Sequence, residues 1–148
     1  MSLALDFTQP AASVLLAQIN YDNATQITPD QYRIDEVAAL SDGSGYNTIV
    51  FVSGTQGAQF EGQEYFKYNR IDIATVPGAR TKVFNRGAAV LLSDLLPQIN
   101  AAWSLNLTKA DIVNGVLPAS LDGNPVAFYM QMAPGAVLWN NQVEIGIQ

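Results

Sequence analysis

Residues 137–147 read VLWNNQVEIGI. Val137, Trp139, Val143, Ile145 and Ile147 are apolar, while Asn140, Gln142, Glu144 and Gln148 are polar. A period of two places alternate side chains on opposite faces of a strand, so one face of this stretch is pinned to a core. Asn140-Asn141 interrupts the run. Because Asn tolerates left-handed φ, the pair predicts a bend that folds the stretch into a hairpin.

Working back from this strand, two others stand out. NTIVFVSG (47–54) has Ile49, Val50, Phe51 and Val52 in succession, apolar on both sides, which predicts a strand covered on two faces. KYNRIDI (67–73) alternates so that Tyr68, Arg70 and Asp72 share one face and Asn69, Ile71 and Ile73 the other. Ile71 and Ile73 are expected in the core, with Arg70 and Asp72 at a strand edge. An exposed pair of that kind contributes about 0 to 1 kcal/mol, so Arg70→Ala is expected to spare the fold. The Gly-rich stretch GTQGAQFEGQ (54–63) joins the two strands, and SDGSGYN (41–47) precedes the first as a loop. Arg80 to Phe84 predicts one more strand.

Upstream, the pattern is helical. Thr8 and Pro10 open a helix over 10–20 in which Ala11, Leu15 and Ile19 fall four apart on one buried face. Thr28-Pro29-Asp30-Gln31 is a capping box, predicting a short helix or turn that runs to about Leu40. Related features return later in the same order: Ala89-Val90-Leu91-Leu92 after Ser13-Val14-Leu15-Leu16, Gln98-Ile99-Asn100 after Gln18-Ile19-Asn20, and a second box at Thr108–Asp111. Asn124-Pro125-Val126-Ala127-Phe128 then matches Asn47-Thr48-Ile49-Val50-Phe51. Matched positions lie 76 apart at Val14/Val90, 80 at Thr28/Thr108, 77 at Asn47/Asn124 and 74 at Ile73/Ile147. The expected architecture is α+β, a mainly antiparallel sheet with helices packed on one face, in one compact domain over 1–148. A diverged tandem repeat of a helix plus hairpin unit, over about 8–76 and 80–148, is one account of the matches; independent recurrence of common α+β parts is the other.

Composition bounds the function. The chain has 148 residues, 49% apolar and 14% charged, which suits a folded domain with a sizeable core. A net charge of −6 argues against generic binding to nucleic acid, which needs a surplus of Lys and Arg toward the phosphates. There is no cysteine, so neither disulfides nor thiolate metal sites can form, and no histidine, which removes Ser-His triads and the commonest metal ligand. The first residues lack a basic region ahead of an apolar run, and no run of about 18 apolar residues occurs, so neither signal peptide nor membrane span is expected.

Three groups of residues bear on chemistry. Asp35-Glu36 and Glu61/Glu64 could supply an acid and a base for hydrolysis, or simply be solvated surface. Asp42, Ser44 and Asn47 offer oxygens to a cation, but without the spacing of a calcium loop they read as a Gly-rich turn. Tyr65, Phe66 and Tyr68 could stack on a ligand or pack. The sequence therefore assigns no catalytic residue, no metal ligand and no cofactor. Charge is distributed unevenly: Lys67, Arg70, Arg80, Lys82 and Arg86 are five of the seven basic residues, opposed within 67–86 only by Asp72, whereas 30–42 holds Asp30, Asp35, Glu36 and Asp42 against Arg33. Lys67, Arg70, Asp72, Arg80, Lys82 and Arg86 form the candidate interface, since opposite patches on neighbouring copies fix orientation; patches that face each other within one molecule, or an ordinary mixed surface, are the other accounts.

Together, NTIVFVSGTQGAQFEGQEYFKYNRIDIATV (47–76), LLPQINAAWSLNLTKADIVNGVL (95–117) and WNNQVEIGI (139–147) resemble a domain family in structural proteins of large, contractile-tailed bacteriophages. Tyr68–Ile73 and Leu105–Val113 match its motifs well, and Gly62 fits its loop glycine, while Asn140-Asn141 stands where a glycine turn is more usual. The resemblance covers most of the chain from about Ala12. It implies a virion component without catalytic residues. With the charge and hydropathy above, the expected protein is made in the host cytoplasm and forms a homo-oligomer or symmetric array with other virion proteins on tail, collar or head, without nucleic-acid or membrane partners. A carbohydrate- or receptor-binding module of a phage tail, and a small hydrolase using Asp35, Glu36 or Glu64, are the alternatives.

Overall fold

The computed structural model describes residues 3–55 and 61–148; residues 56–60 of the Gly-rich stretch lie outside the described residues. The fold is mixed α+β, with both antiparallel and parallel strand pairs, and the chain divides into two compact units, Met1–Arg70 and Ile71–Gln148.

The first unit holds α1 (Ala11–Asn23), β1 (Tyr32–Ala39), β2 (Thr48–Gly54) and β3 (Gln63–Tyr68). The Pro10 carbonyl accepts from Ser13 and Val14 N–H to start α1, whose Val14, Leu15, Leu16 and Ile19 are buried. Ala24, at φ 53°, ends the helix in the left-handed region. The Asn20 amide then seals the turn: its Oδ1 accepts from Ile27 N–H at 2.9 Å and its Nδ2 donates to the Ile27 carbonyl at 2.8 Å. Thr28 and Gln31 form the expected box around one 3-10 turn, Pro29–Gln31. The next element is the strand β1 rather than a helix or turn running to Leu40. Its period is masked because a bulge between Ile34 and Glu36 shifts the register against β2 by one residue.

Strand β2 lies between β1 and β3, antiparallel to both. Thr48, Val50 and Val52 are buried, but Ile49 and Phe51 are only half-buried, so the expectation of cover on both faces holds for one face alone. KYNRIDI is also not one strand. β3 stops at Tyr68, and Ile71–Asp72 belongs to the next unit.

The second unit holds β4 (Ile71–Asp72), β5 (Val83–Phe84), α2 (Leu92–Trp103), β6 (Val126–Gln131), β7 (Trp139–Asn140) and β8 (Gln142–Ile147). Leu92, Leu95, Leu96, Ile99 and Trp103 make the buried stripe of α2. Trp103 packs edge-on against Phe84 at 5.8 Å and donates from Nε1 to the Thr81 carbonyl at 2.8 Å. Ser104, at φ 57°, ends α2, and the Asn100 amide accepts from Leu107 N–H at 2.8 Å and donates to the Leu107 carbonyl at 2.9 Å. A 3-10 turn, Lys109–Asp111, comes next, with Asp111 accepting from Thr108 N–H.

Val143, Ile145 and Ile147 are buried, as the alternation of the closing stretch predicts. Asn141 does bend the chain, with φ 63°, but the two arms do not pair as a hairpin. Only Asn141 separates β7 from β8, too few residues for even a two-residue hairpin loop. Instead β7 runs parallel to β4, and β8 lies between antiparallel β6 and parallel β5. The strand expected over Arg80 to Phe84 shrinks to Val83–Phe84, set in place by Gly146 N–H donating to the Lys82 carbonyl and Gln148 N–H to that of Phe84.

The approach of β5 favours a glycine. A Cβ at Gly146 would lie 3.1 Å from Pro125 Cβ and 3.2 Å from Val83 Cγ2. Gly146→Val is expected to push β5 off β8 and cost about 1 to 3 kcal/mol, read as a lower urea midpoint; an unchanged midpoint would show that β5 yields freely.

Candidate functional site

Of the six candidate interface residues, Lys67 and Arg70 lie in the first unit and Asp72, Arg80, Lys82 and Arg86 in the second. Lys67 is ion-paired to Asp42 at 2.7 Å, closing the SDGSGYN loop against β3; Asp42 Oδ1 also accepts from Ser44 N–H. That arrangement supplies the loop's carboxylate with a cation of its own, and among the described residues no group of three or more His, Cys, Asp or Glu could hold a metal ion.

Arg70, expected at an exposed edge, is buried at 9% exposure. Its Nε donates to Thr48 Oγ1 at 3.0 Å, and Thr48 Oγ1 donates to Asn47 Oδ1 at 2.6 Å. The same Asn47 oxygen accepts from Arg70 N–H at 2.8 Å, Asn47 Nδ2 donates to the Arg70 carbonyl at 3.2 Å, and Asn69 Oδ1 accepts from Asn47 N–H. The physical reason for the correction is that β3 ends before Arg70. The strand alternation that would turn its side chain outward no longer applies, and the Asn47 amide takes over the pairing of its peptide group. Asp72, half-buried, accepts from Ala74 N–H and caps a 3-10 turn at Ile73–Thr75. Arg80 donates from Nη1 to the Trp103 carbonyl at 2.5 Å. Lys82 is exposed, and Arg86 is half-buried beside an open hollow of about 640 Å³.

The carboxylates considered for hydrolysis are dispersed in role. Asp35 accepts from Arg33 Nε at 2.8 Å, from Gln63 Nε2 at 3.0 Å and from the Ser53 hydroxyl. The Ser53, Gln63 and Arg33 donors hold its carboxyl well below the usual range, at about 2, so it is a poor proton acceptor near neutral pH. Glu36, Glu61 and Glu64 are exposed.

The sequence does not show a row that crosses the first unit's sheet, since the bulge hides the strand that begins it. Glu36 on β1 lies opposite Phe51 on β2, which lies opposite Tyr65 on β3. The two rings are 6.4 Å apart and tilted by 52°, and Tyr65 is 58% exposed. Of the three clustered aromatics, Phe66 and Tyr68 are half-buried, and desolvation raises the Tyr68 phenol to about 12. The second unit presents Tyr129, 56% exposed, opposite Glu144 on β8, whose carboxylate raises the phenol's pKa. Each unit thus shows a tyrosine on the outer face of its larger sheet. Separately, Ile19, Asn23, Thr25, Ile27, Glu64 and Phe66 line a groove of about 270 Å³ in the first unit. No helix among the described residues is long and apolar enough to cross a membrane.

The chain belongs to a family described as Family of unknown function (DUF7941), whose model matches residues 5–148. No curated protein and no solved structure matches it.

Arg70→Ala is expected to cost about 1 to 3 kcal/mol in chemical denaturation, because it strips a partner from a buried hydroxyl and opens space beside it. A wild-type midpoint would return Arg70 to the surface role read from the sequence. For Asp35, a folded pKa below the unfolded one contributes stability above about pH 4 that is lost as pH falls toward about 2. Asp35→Asn should therefore flatten the fall in urea midpoint across that window, and an equally steep fall in the variant would show that other carboxylates cause it.

Proposed function

We propose that this member of the DUF7941 family is a non-enzymatic structural protein of a tailed-bacteriophage virion, present in several copies and docked on tail, collar or head through its sheet faces. The observation that carries the reading is the uncovered outer face of the β1–β2–β3 sheet, where Glu36, Phe51 and Tyr65 stand in a row across three strands. An apolar and aromatic sheet face left half-open is the kind of surface that marks protein contact. The likeness of Tyr68–Ile73 and Leu105–Val113 to virion-protein motifs supports the same reading. So does the use of Lys67, Arg70, Asp72 and Asp35 as ties within the fold rather than as a convergent set of reactive groups.

The repeat belongs to this proposal. In each unit an Asn amide brackets the residue seven positions on, Ile27 or Leu107, then comes a boxed 3-10 turn. Tyr32 pairs with Gly54, and Ile112 bridges Met132; Thr55 N–H donates to the Gln31 carbonyl, and Ala133 N–H to that of Asp111. Gly43 and Gly123 come directly after Asp42 and Asp122 with φ of 78° and 79°. These correspondences support two diverged copies of a helix plus antiparallel-strand unit. They pair Ile147 with Tyr68 rather than with Ile73, since each faces the first residue of its partner strand, Thr48 or Val126.

The Phe51–Tyr65 rings favour one second reading, a carbohydrate- or receptor-binding module, because exposed aromatic faces stack on sugars. Mass spectrometry of purified particles of a phage that encodes the chain separates the cases. The protein is expected at a fixed ratio to the major virion proteins, with no glycan-array signal that depends on Tyr65. Absence from the particles would remove the structural reading, and a signal abolished by Tyr65→Ala would install the second.

A further inference from the structure

Lys82 and Arg86 stand apart from the other basic residues of 67–86. Lys67, Arg70 and Arg80 have acceptors at Asp42, Thr48 and the Trp103 carbonyl. Among the described residues, the exposed Lys82 ammonium is held by no hydrogen bond or ion pair, and Arg86 Nε is shut off from solvent with no hydrogen-bond partner. Arg86 lines its hollow with Asn85, Gly87, Ala88, Asp94 and Gln98. Asp94 on that rim is already engaged, accepting from Val90 N–H at 3.0 Å and Leu91 N–H at 2.9 Å. A guanidinium nitrogen without an acceptor makes the resting orientation an easy one to leave, and a carboxylate matches the fork of donors that the group presents. In the first unit, Glu36 is an exposed carboxylate with no ion pair among the described residues, set at the bulge of β1 beside Phe51 and Tyr65.

We propose that the Glu36–Phe51–Tyr65 row receives stretch 82–86 of a second copy of this chain, with the Glu36 carboxylate in the hollow on Arg86 and the Lys82 ammonium over the Tyr65 ring. The inference rests on the multi-copy reading above and names its partner. The spacing fits: four residues of extended chain separate Lys82 from Arg86 by about 13 Å, and two strand spacings separate Glu36 from Tyr65 by about 10 Å, a difference that long side chains absorb. Charge selects the partner. Lys82 and Arg86 are the cations of 67–86 left unanswered among the described residues, and Glu36 is a carboxylate of the row with no cation of its own, so a second copy offers the complement that each needs. Patch and complement are different surfaces, one in each unit, so every copy has one of each to offer.

The test is sedimentation velocity of the full chain at about 0.05 M and about 0.5 M salt, bracketing the range over which exposed charges become screened. The wild type, Glu36→Arg, Lys82→Glu, Arg86→Glu, the Glu36→Arg/Arg86→Glu double variant and an Asp22→Lys control on the exposed end of α1 are compared, each checked for folding by circular dichroism. Wild type and control should associate at low salt and disperse at high salt. Each single reversal in the contact should weaken association by about tenfold or more, and the double variant should recover most of it. Should Arg86→Glu fail to fold, Arg86→Gln and Lys82→Glu carry the comparison. A wild type that stays monomeric at both salts, Glu36→Arg and Lys82→Glu that associate as wild type does, or a folded double variant as weak as the singles would each overturn the contact. A monomer found in virions would remove this contact and leave the virion reading, whereas a salt-sensitive oligomer absent from particles would do the reverse.

Discussion

Both units depend on one side-chain device, an asparagine amide that stands in for a stretch of sheet ladder. A helix end leaves its last carbonyls without intrahelical partners and the outgoing chain to be directed; the left-handed residue answers part of this, its N–H donating to the Asn20 or the Asn100 carbonyl. After α1 and after α2, the amide of Asn20 or Asn100 accepts from and donates to the same residue, Ile27 or Leu107, bonding both its N–H and its carbonyl. That pair of bonds sets the direction in which the boxed 3-10 turn begins. The turn in turn delivers Tyr32 to Gly54 and Ile112 to Met132. Neither Asn is at a conventional cap position, which is why the boxes, with their local spacing, are legible in the sequence and the clamps are not. A side chain that bonds seven residues away leaves no short motif.

How much can be read depends on whether a pattern is local and unbroken. The helices, both boxes, β2 and the alternation of β8 follow from spacing over a few residues. The strand β1 escapes because its bulge inserts a residue between Ile34 and Glu36, and a period of two that slips by one resembles no period at all. The closing hairpin fails for a different reason. The bend at Asn141 is a local property and is legible, but the choice of partner is a long-range one, settled by β4 and β5. Arg70 combines both difficulties, since it sits just past the break in the expected strand, and its burial is set by Asn47 and Thr48, more than twenty positions earlier.

The same distinction separates charges that hold the fold from charges left over. Most of the carboxylates and cations that look suggestive in the sequence have partners that explain them: Asp42 with Lys67, Asp35 with Arg33, Ser53 and Gln63, Asp111 with Thr108, and Asp122 with Asn124. The exposed ties among these contribute little energy each. Their value is in register, because they fix loops against particular strands. Sequence reasoning counts charges; only the structure shows which are already answered.

The two three-stranded sheets treat one flanking strand in opposite ways. On β8, Gly146 opposes Ala127 and has no side chain, so β5 approaches closely enough to bond to it and the outer side of β8 is closed from within the unit. On β3 the residue opposite Ile49 is Lys67, whose side chain is held out over the SDGSGYN loop by Asp42. A lysine on an edge strand guards against unwanted pairing, and here its position is fixed rather than floppy. One sheet thus fills one flank of its central strand and the other guards the edge strand β3, by opposite choices at a single side chain, while β1 and β6 remain edge strands. What neither choice covers is the outer face between the edges, where Phe51 and Tyr65 in one unit and Tyr129 in the other remain open. An edge recruits any extended chain through its backbone, whereas a face recruits only a surface of matching shape and charge.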